Sequence, residues 1–182
     1  PDIPASDTGP PDILLITIDT LRADRIGAYG DTQARTPVID NLAATGVLFR
    51  EAHAVTPLTL PSHATLLTGL LPSEHGLRDN AGFRLDDSVV TLAERLRSRD
   101  YQTAAFVSAY VLDSAWGLDR GFQIYHDPFD LSDVDQRAVF DSETRQDGDN
   151  RAAFGEVELS SAEVINSAIG WWEHTEGDEK RF

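Results

Sequence analysis

The segment Thr56–Gly69 reads T-P-L-T-L-P-S-H-A-T-L-L-T-G, and the rest of the chain is interpreted outward from it. Pro61 suits a first helical position and Gly69 suits the residue just past a helix end, so the pattern predicts a short helix that starts immediately after Thr59. The N–H groups and positive dipole end at a helix start favour an anion, which suits a hydroxyl that attacks phosphorus or sulfur. The alternative is that Thr59 only caps the helix and that His63 is a first-turn surface residue.

A second segment, Asp12–Asp24, reads D-I-L-L-I-T-I-D-T-L-R-A-D. Its apolar, β-branched run Ile13–Ile18 predicts a buried strand of an α/β sheet that ends at Asp19. Open α/β sheets bind ligands at the carboxyl ends of their strands, which makes Asp19 a candidate ligand of a hard cation. Such a cation would neutralise a phosphate or sulfate and lower the pKa of a coordinated hydroxyl. The alternative role of Asp19 is an N-cap.

Four motifs in a fixed order connect these segments to a known family. They read P-D-I-L-L-I-T-I-D-T-L-R-A-D, T-P-V-I-D-N-L-A-A-T-G-V-L-F, P-L-T-L-P-S-H-A-T-L-L-T-G-L-L-P-S-E-H-G and T-L-A-E-R-L-R-S-R-D-Y-Q-T-A-A-F. From Pro11 to about Phe129 the chain resembles the N-terminal part of the sulfatase family, within the alkaline phosphatase superfamily. The resemblance implies a three-layer α/β/α fold with a mostly parallel sheet, present here as an incomplete N-terminal portion. Family members place further metal ligands late in the chain, so we expect half of the site here and an inactive isolated fragment.

The chain departs from the sulfatase pattern at the nucleophile. Sulfatases carry Cys or Ser, any residue, Pro, any residue and Arg, and the first position is oxidised to formylglycine; Thr59 and His63 occupy the outer positions here. The chain has no Cys, and oxidation of a threonine gives a ketone in place of the aldehyde. The resemblance therefore points to relatives with an unmodified Thr, among them nucleotide pyrophosphatase/phosphodiesterases and phosphoethanolamine transferases. Thr20 follows Asp19 where many sulfatases have a second Asp, which leaves the type and number of metal ions open.

The resemblance also assigns roles to individual residues. Thr59 would be the nucleophile and, with Asp19, a ligand of a divalent metal ion, with Ca, Mg, Mn and Zn all open. His63 takes the place of the sulfatase Arg and would hydrogen-bond the nucleophile or the substrate. Asn80, in the turn-rich loop Pro72–Phe83, would stabilise the oxyanion.

The expected activity is metal-dependent hydrolysis of a sulfate or phosphate ester through a Thr nucleophile. The ester could belong to a small molecule, a glycan or a lipid. Two alternatives stay open: a phospho-group transferase of the same superfamily, and a catalytically silent sulfatase-like binding domain.

Further elements follow from periodicity and from start and stop signals. Helices are predicted from Thr36-Pro37 to Gly46, from Asp87-Ser88 onward, and from Ser160 to about Gly177; strands are predicted at Val47–Val55, Tyr101–Ala109 and Gln123–Tyr125. His53 falls in a strand and is interpreted as structural. His75 and Arg78 are weaker site candidates, for which a turn or surface role is the alternative.

Composition limits the classes of function. The chain has 182 residues, 41% of them hydrophobic, which is enough for one α/β domain with a core. Its net charge of -16, from 31 acidic and 15 basic residues, repels polyanions and argues against nucleic-acid binding. A small sulfate or phosphate ester stays compatible with this charge, because a bound metal reverses the local sign.

The domain organisation is predicted from shifts in composition. Residues 1–11 read as a flexible leader, and 12–182 as the N-terminal portion of a sulfatase-like α/β domain with an acidic loop at about 127–158. No run reaches the length of a membrane span and no signal-peptide pattern is visible. The cytoplasm, the periplasm and export all stay open as locations, and so does the oligomeric state.

Overall fold

The computed structural model of the protein describes residues 11–127 and 160–175. The predicted leader up to residue 10 and the predicted acidic loop from residue 128 onward lie outside the described residues. The chain divides into two compact units, one of which is Leu15–Ala54. The other, larger unit combines the residues up to Leu14 with those from Val55 onward.

The Leu15–Ala54 unit is built around one helix. It contains single 3-10 turns at Ala23–Arg25 and Gly27–Tyr29, followed by α1 at Pro37–Thr45. The position of α1 confirms the predicted helix, with a proline in its first turn. The Asp40 carboxylate accepts the Ala28 N–H at 2.7 Å and the Thr36 hydroxyl at 3.1 Å, which ties α1 to the second turn.

The larger unit contains the remaining elements. They are α2 (Thr59–Thr68), α3 (Pro72–His75), α4 (Leu92–Arg97), β1 (Ala104–Phe106), β2 (Ile124–His126) and α5 (Ser161–Thr175). The strands β1 and β2 pair in parallel, with Ala104 opposite Ile124. The helix α5 packs on β1, where the rings of Phe106 and Trp171 lie 6.2 Å apart. Parallel strands with packed helices confirm the predicted α/β class. No helix among the described residues combines the length and apolarity needed to cross a membrane.

The core of the larger unit lies against α2. Its buried members are Leu60, Ala64, Leu77, Ala81, Leu85, Val111, Leu112, Trp116 and Leu118. Two features of the W-G-L-D-R-G-F segment connect the residues before α4, and α4 itself, to this core. The Arg120 guanidinium donates to the Asp87 carbonyl at 2.8 Å and to the Val89 carbonyl at 2.6 Å. Gly121, at φ +91, leaves no room for a Cβ against the backbone of α4.

The predicted strands are the main correction. Ile13–Ile18 and Val47–Val55 are not strands in the described part of the chain, and Tyr101–Ala109 contains only the short β1. The large apolar side chains of Ile13–Ile18 are between 49% and 72% exposed. A strand forms only where a neighbouring backbone completes its hydrogen bonds. Hydrophobic periodicity identified the run but could not supply that neighbour, and the described residues provide a single pair of strands.

Three helix starts also differ from the prediction. The helix α2 begins at Thr59, so Pro61 is its third residue; this is tolerated because the first N–H groups of a helix have no partner within it. The helix α4 begins after Thr91, whose hydroxyl accepts the Glu94 N–H at 3.1 Å, and not at Asp87-Ser88. The loop Pro72–Phe83, for which no helix was predicted, contains the short helix α3. This helix begins at Pro72, since proline suits a first helical position.

Candidate functional site

The start of α2 is capped from a distant part of the chain. Leu58 occupies the N-cap position and has no side-chain acceptor to offer. The Asn80 Oδ1 atom instead accepts the Leu60 N–H at 3.0 Å, across 20 residues of sequence. Thr59, the first residue of the helix, is half-buried beside this contact. The structure thus brings Asn80 to the helix turn that carries Thr59.

This arrangement limits the donors at the helix start. Pro61 has no N–H, and the Ser62 N–H donates to the Leu58 carbonyl at 3.1 Å. The Leu60 N–H is already bonded to Asn80. The helix-start donors beyond Thr59 are therefore committed, whereas the sequence had suggested several of them for an oxyanion. Since an N–H can only donate, the atom of Asn80 that faces Leu60 is its oxygen, which leaves Nδ2 as the donor atom of this amide.

His63 contacts the backbone of Thr59. Its Nδ1 atom lies 2.8 Å from the Thr59 carbonyl oxygen, one helical turn away. A carbonyl only accepts hydrogen bonds, so Nδ1 carries the proton and Nε2 is the basic nitrogen of the neutral ring. This contact with the Thr59 backbone aligns the ring along α2, and the predicted role of His63 toward a nucleophile or substrate stays a prediction.

His75, a weaker site candidate for which a turn or surface role was the alternative, is buried. Its Nδ1 atom accepts the Leu77 N–H at 3.2 Å, and its Nε2 atom lies 3.2 Å from the Thr65 hydroxyl oxygen in α2. Burial lowers the pKa of the imidazole below its ordinary value of 6.5. The motif P-S-E-H-G, with a Pro start and a Gly stop at Gly76, was a signal for the short helix that ends at His75, but it did not indicate that the ring is buried.

Asp19 belongs to the Leu15–Ala54 unit, where its carboxylate is exposed and accepts the Thr20 N–H at 3.0 Å. Thr20 has φ +53, a left-handed conformation that is strained for a β-branched residue. Arg22 forms a two-point ion pair with Asp24, at 2.8 Å and 2.6 Å, and this pair is exposed. The cation of Arg22 is thus paired locally within D-T-L-R-A-D, as a surface pair would be.

The metal ligands predicted from the sequence lie in different units. Thr59 belongs to the larger unit and Asp19 to Leu15–Ala54. Over residues 11–127 and 160–175, no group of three or more His, Cys, Asp or Glu side chains could hold a metal ion. A carboxylate and a hydroxyl are nevertheless oxygen donors of the kind that hard divalent cations prefer. The donor chemistry of each of these two residues fits such a cation.

The parallel strands and the capped helix that starts at Thr59 define a partial α/β domain of the alkaline phosphatase-like kind. Comparison with protein families gives the same class, because residues 11–165 match the Sulfatase family. This match covers most of the chain, so the chain belongs to the sulfatase family.

Two characterised relatives each match more than half of this chain. A Delta 4,5-hexuronate-2-O-sulfatase of Bacteroides thetaiotaomicron is 34% identical over 112 residues, which cover 59% of this chain and 23% of that protein. Arylsulfatase A of Bos taurus is 42% identical over 101 residues, which cover 52% of this chain and 20% of that protein. The chain therefore spans about a fifth to a quarter of the length of these relatives.

Solved structures agree on the fold. A 2-O GAG sulfatase superposes with a TM-score of 0.57 at 33% identity, over 66% of this chain and 27% of that one. The phosphonate monoester hydrolase of Agrobacterium radiobacter superposes with a TM-score of 0.56 at 27% identity, over 75% of this chain and 29% of that one. The relatives thus include enzymes named for sulfur esters and one named for phosphorus esters.

Proposed function

We propose that this chain supplies the nucleophile and part of the metal-binding residues of an enzyme that hydrolyses sulfate or phosphate esters, with Thr59 as the nucleophile. The observation that carries the proposal is the hydrogen bond from the Leu60 N–H to Asn80 Oδ1. It brings two of the predicted site positions of the larger unit, Thr59 and Asn80, to one helix start. A remote cap on this particular turn is what a fixed nucleophile requires, since small displacements of reacting groups are costly for catalysis.

The chemistry assigned to the chain takes two steps. The Thr59 hydroxyl oxygen bonds to the sulfur or phosphorus, and the bond from that centre to the ester oxygen breaks, so that an alcohol leaves with one proton. Water then cleaves the threonyl sulfate or phosphate, which releases the inorganic anion and restores the hydroxyl. His63 is the candidate acceptor of the hydroxyl proton through Nε2, because its Nδ1 is bonded to the Thr59 carbonyl.

Asn80 has two separable functions in this proposal. Its Oδ1 atom caps the helix, and its Nδ2 donor would bind an oxygen of the sulfate or phosphate as charge develops there. Because the amide keeps its oxygen on Leu60, the donor has a defined orientation before the substrate arrives. This division makes Asn80 both a structural and a catalytic residue.

Asp19 and the Thr59 hydroxyl are proposed as ligands of a divalent cation. When bound, such a cation would lower the pKa of the hydroxyl and offset the charge of the ester. The support for this part is the oxygen donor chemistry together with membership of the sulfatase family.

Sulfate esters are the first substrate class to test, because relatives of this chain are named as hexuronate, aryl and steryl sulfatases. Phosphorus esters are the second class. They are favoured by the likeness to a phosphonate monoester hydrolase and by a hydroxyl residue in a chain without Cys.

The test compares Thr59→Ala, Thr59→Ser and Thr68→Ala in the intact protein. Thr68 lies at the other end of α2, where its hydroxyl bonds the Ala64 carbonyl at 2.7 Å, so its substitution controls for the loss of a threonine from this helix. We expect Thr59→Ala to lose at least about 1,000-fold in the hydrolysis of p-nitrophenyl sulfate or of p-nitrophenyl phenylphosphonate. Thr59→Ser should keep measurable turnover, and Thr68→Ala should resemble the wild type.

Mass spectrometry after acid quenching gives the second readout. Wild-type protein should carry the sulfuryl or phosphoryl group on the peptide that contains Thr59, and Thr59→Ala should not. Undiminished turnover by Thr59→Ala would reject the nucleophile. A wild-type protein that turns over neither ester class would favour the catalytically silent binding domain.

A further inference from the structure

His75 is the one histidine of the chain that is buried in the described structure, with 2% of its surface exposed. Its neighbour Leu77 is fully buried in the core cluster, next to Leu60 of α2. A buried polar ring of this kind requires hydrogen-bond partners on both nitrogens. His75 has them, and they belong to different elements.

The protonation pattern of the ring follows from its partners. The Leu77 N–H can only donate, so Nδ1 accepts, and the proton of the neutral ring is on Nε2. The Nε2 atom lies 3.2 Å from the Thr65 hydroxyl oxygen, which belongs to α2. The ring therefore connects the loop after α3 to the helix that begins with Thr59.

The segment from His75 to Asn80 consequently holds α2 at two points. His75 contacts the helix at Thr65, and Asn80 binds it at the Leu60 N–H. The His75 contact fixes the middle of α2 at Thr65. Asn80 can then reach the Leu60 N–H in the first turn in a single orientation.

We propose that His75 is a positioning residue, which holds α2 through its Nε2–H so that Asn80 can cap Leu60 and Thr59 keeps its place at the helix start. The consequence for turnover rests on the function proposed above. The consequence for the structure, an ordered first turn of α2, does not depend on it.

Two substitutions distinguish the contact of the Nδ1 atom from that of the Nε2 atom. In His75→Asn the amide oxygen can replace Nδ1 and keep the Leu77 contact, but the contact with Thr65 is lost. In His75→Gln the longer amide can replace Nε2–H and keep the link to α2. Thr65→Val removes the same link from the side of the helix with little change in shape, and it serves if the histidine variants fold poorly.

The first readout is amide hydrogen exchange in the intact protein, which needs no substrate. We expect His75→Asn and Thr65→Val to speed exchange at the Leu60 amide about 10-fold, the effect of one lost hydrogen bond, relative to the amides of α4. His75→Gln should stay near the wild type. Combining His75→Asn with Thr65→Val should add little to either alone, because both remove one contact.

The second readout is the split between kcat and KM. A positioning role predicts that His75→Asn lowers kcat about 10-fold at nearly constant KM and that His75→Gln restores it. Equal effects of Asn and Gln, or faster exchange in α4 to the same extent as at Leu60, would overturn the proposal and leave His75 as a packing residue. If the Thr59→Ala variant kept its activity, the role of Thr59 as nucleophile would be rejected. The expected hydrogen exchange at the Leu60 amide would not change.

Discussion

Two apolar segments of this chain have opposite environments. The side chains of Ile13–Ile18 are between 49% and 72% exposed, whereas Leu60 and Ala64 of α2 are fully buried. A helix completes its backbone hydrogen bonds within itself and needs only a surface to pack on, but a strand needs a second backbone beside it. Apolar content predicted burial for Ile13–Ile18, whereas start and stop signals predicted only a short helix for α2. The difference shows that burial here follows the availability of a partner.

The largest loss of stability should come from a substitution at Gly121, where the backbone of the larger unit packs directly against α4. A Cβ on Gly121 would lie 2.2 Å from the Glu94 nitrogen, and the residue has φ +91. Gly121→Ala should therefore lower the free energy of unfolding by about 4 kcal/mol or more, because steric overlap adds to backbone strain.

Gly30→Ala is the matched control for this substitution. Gly30 also has a positive φ, +108, but no atom lies within 4 Å of its added Cβ. Only backbone strain applies, so the expected loss is about 1 kcal/mol. Denaturant unfolding of both variants measures the difference, and equal losses would show that Gly121 is not in close contact with α4.

The next effect tests the two apolar segments directly. Leu60→Ala removes a fully buried side chain from the core and should lower the free energy of unfolding by about 3 kcal/mol. Ile16→Ala removes a side chain that is 68% exposed and should cost less than about 0.5 kcal/mol. A cost at Ile16 near that of Leu60 would mean that the protein in solution buries this segment against a partner.

The same contrast explains what the sequence predicted. The helix at Pro37–Thr45 and the helix at Ser161–Thr175 follow from local signals, namely a proline in the first turn or a Ser with a Glu three residues later. Strand partners are not local, and most of the predicted strands are absent from the described residues.

Site residues divide in the same way. Thr59, His63 and Asn80 were identified from motif spacing, and the structure brings them together at the start of α2. The inward position of His75 depends on Thr65 and Leu77, which contact it from two elements. No window of the sequence contains that information as a pattern.

An intermediate effect separates capping from catalysis at Asn80. Asn80→Ala leaves the Leu60 N–H without its acceptor and should cost about 1–2 kcal/mol in unfolding free energy. Asn80→Asp keeps an acceptor and places a negative charge at a helix start, so stability should return to near the wild type. Asp has no Nδ2 donor, however, so the intact enzyme should lose turnover in both variants. Full turnover by Asn80→Asp would contradict the proposal that Asn80 stabilises the oxyanion.

The smallest effect concerns two buried titratable groups of the larger unit, His75 and Asp113. Their contributions to the free energy of unfolding depend on pH with opposite signs. Burial lowers the pKa of His75 below 6.5, with a smaller opposing effect from Glu74. The unfolded chain then binds more protons, so this contribution to stability is present above pH 6.5 and is lost as the pH falls. Burial raises the pKa of Asp113 above 3.8, and Asp127 and Asp119 add to this. Its contribution is present at low pH and is lost as the pH rises.

Urea unfolding between pH 4 and pH 8 can resolve these opposite slopes, each limited to about 1.4 kcal/mol per pH unit, the value for one proton. His75→Gln should flatten the rise in stability with pH near 6, and Asp113→Asn should remove the fall with pH that begins above 3.8. His53→Gln is the control, because that side chain is 81% exposed beside Glu51. If His53→Gln changed the slope as much as His75→Gln does, the slope would not come from burial.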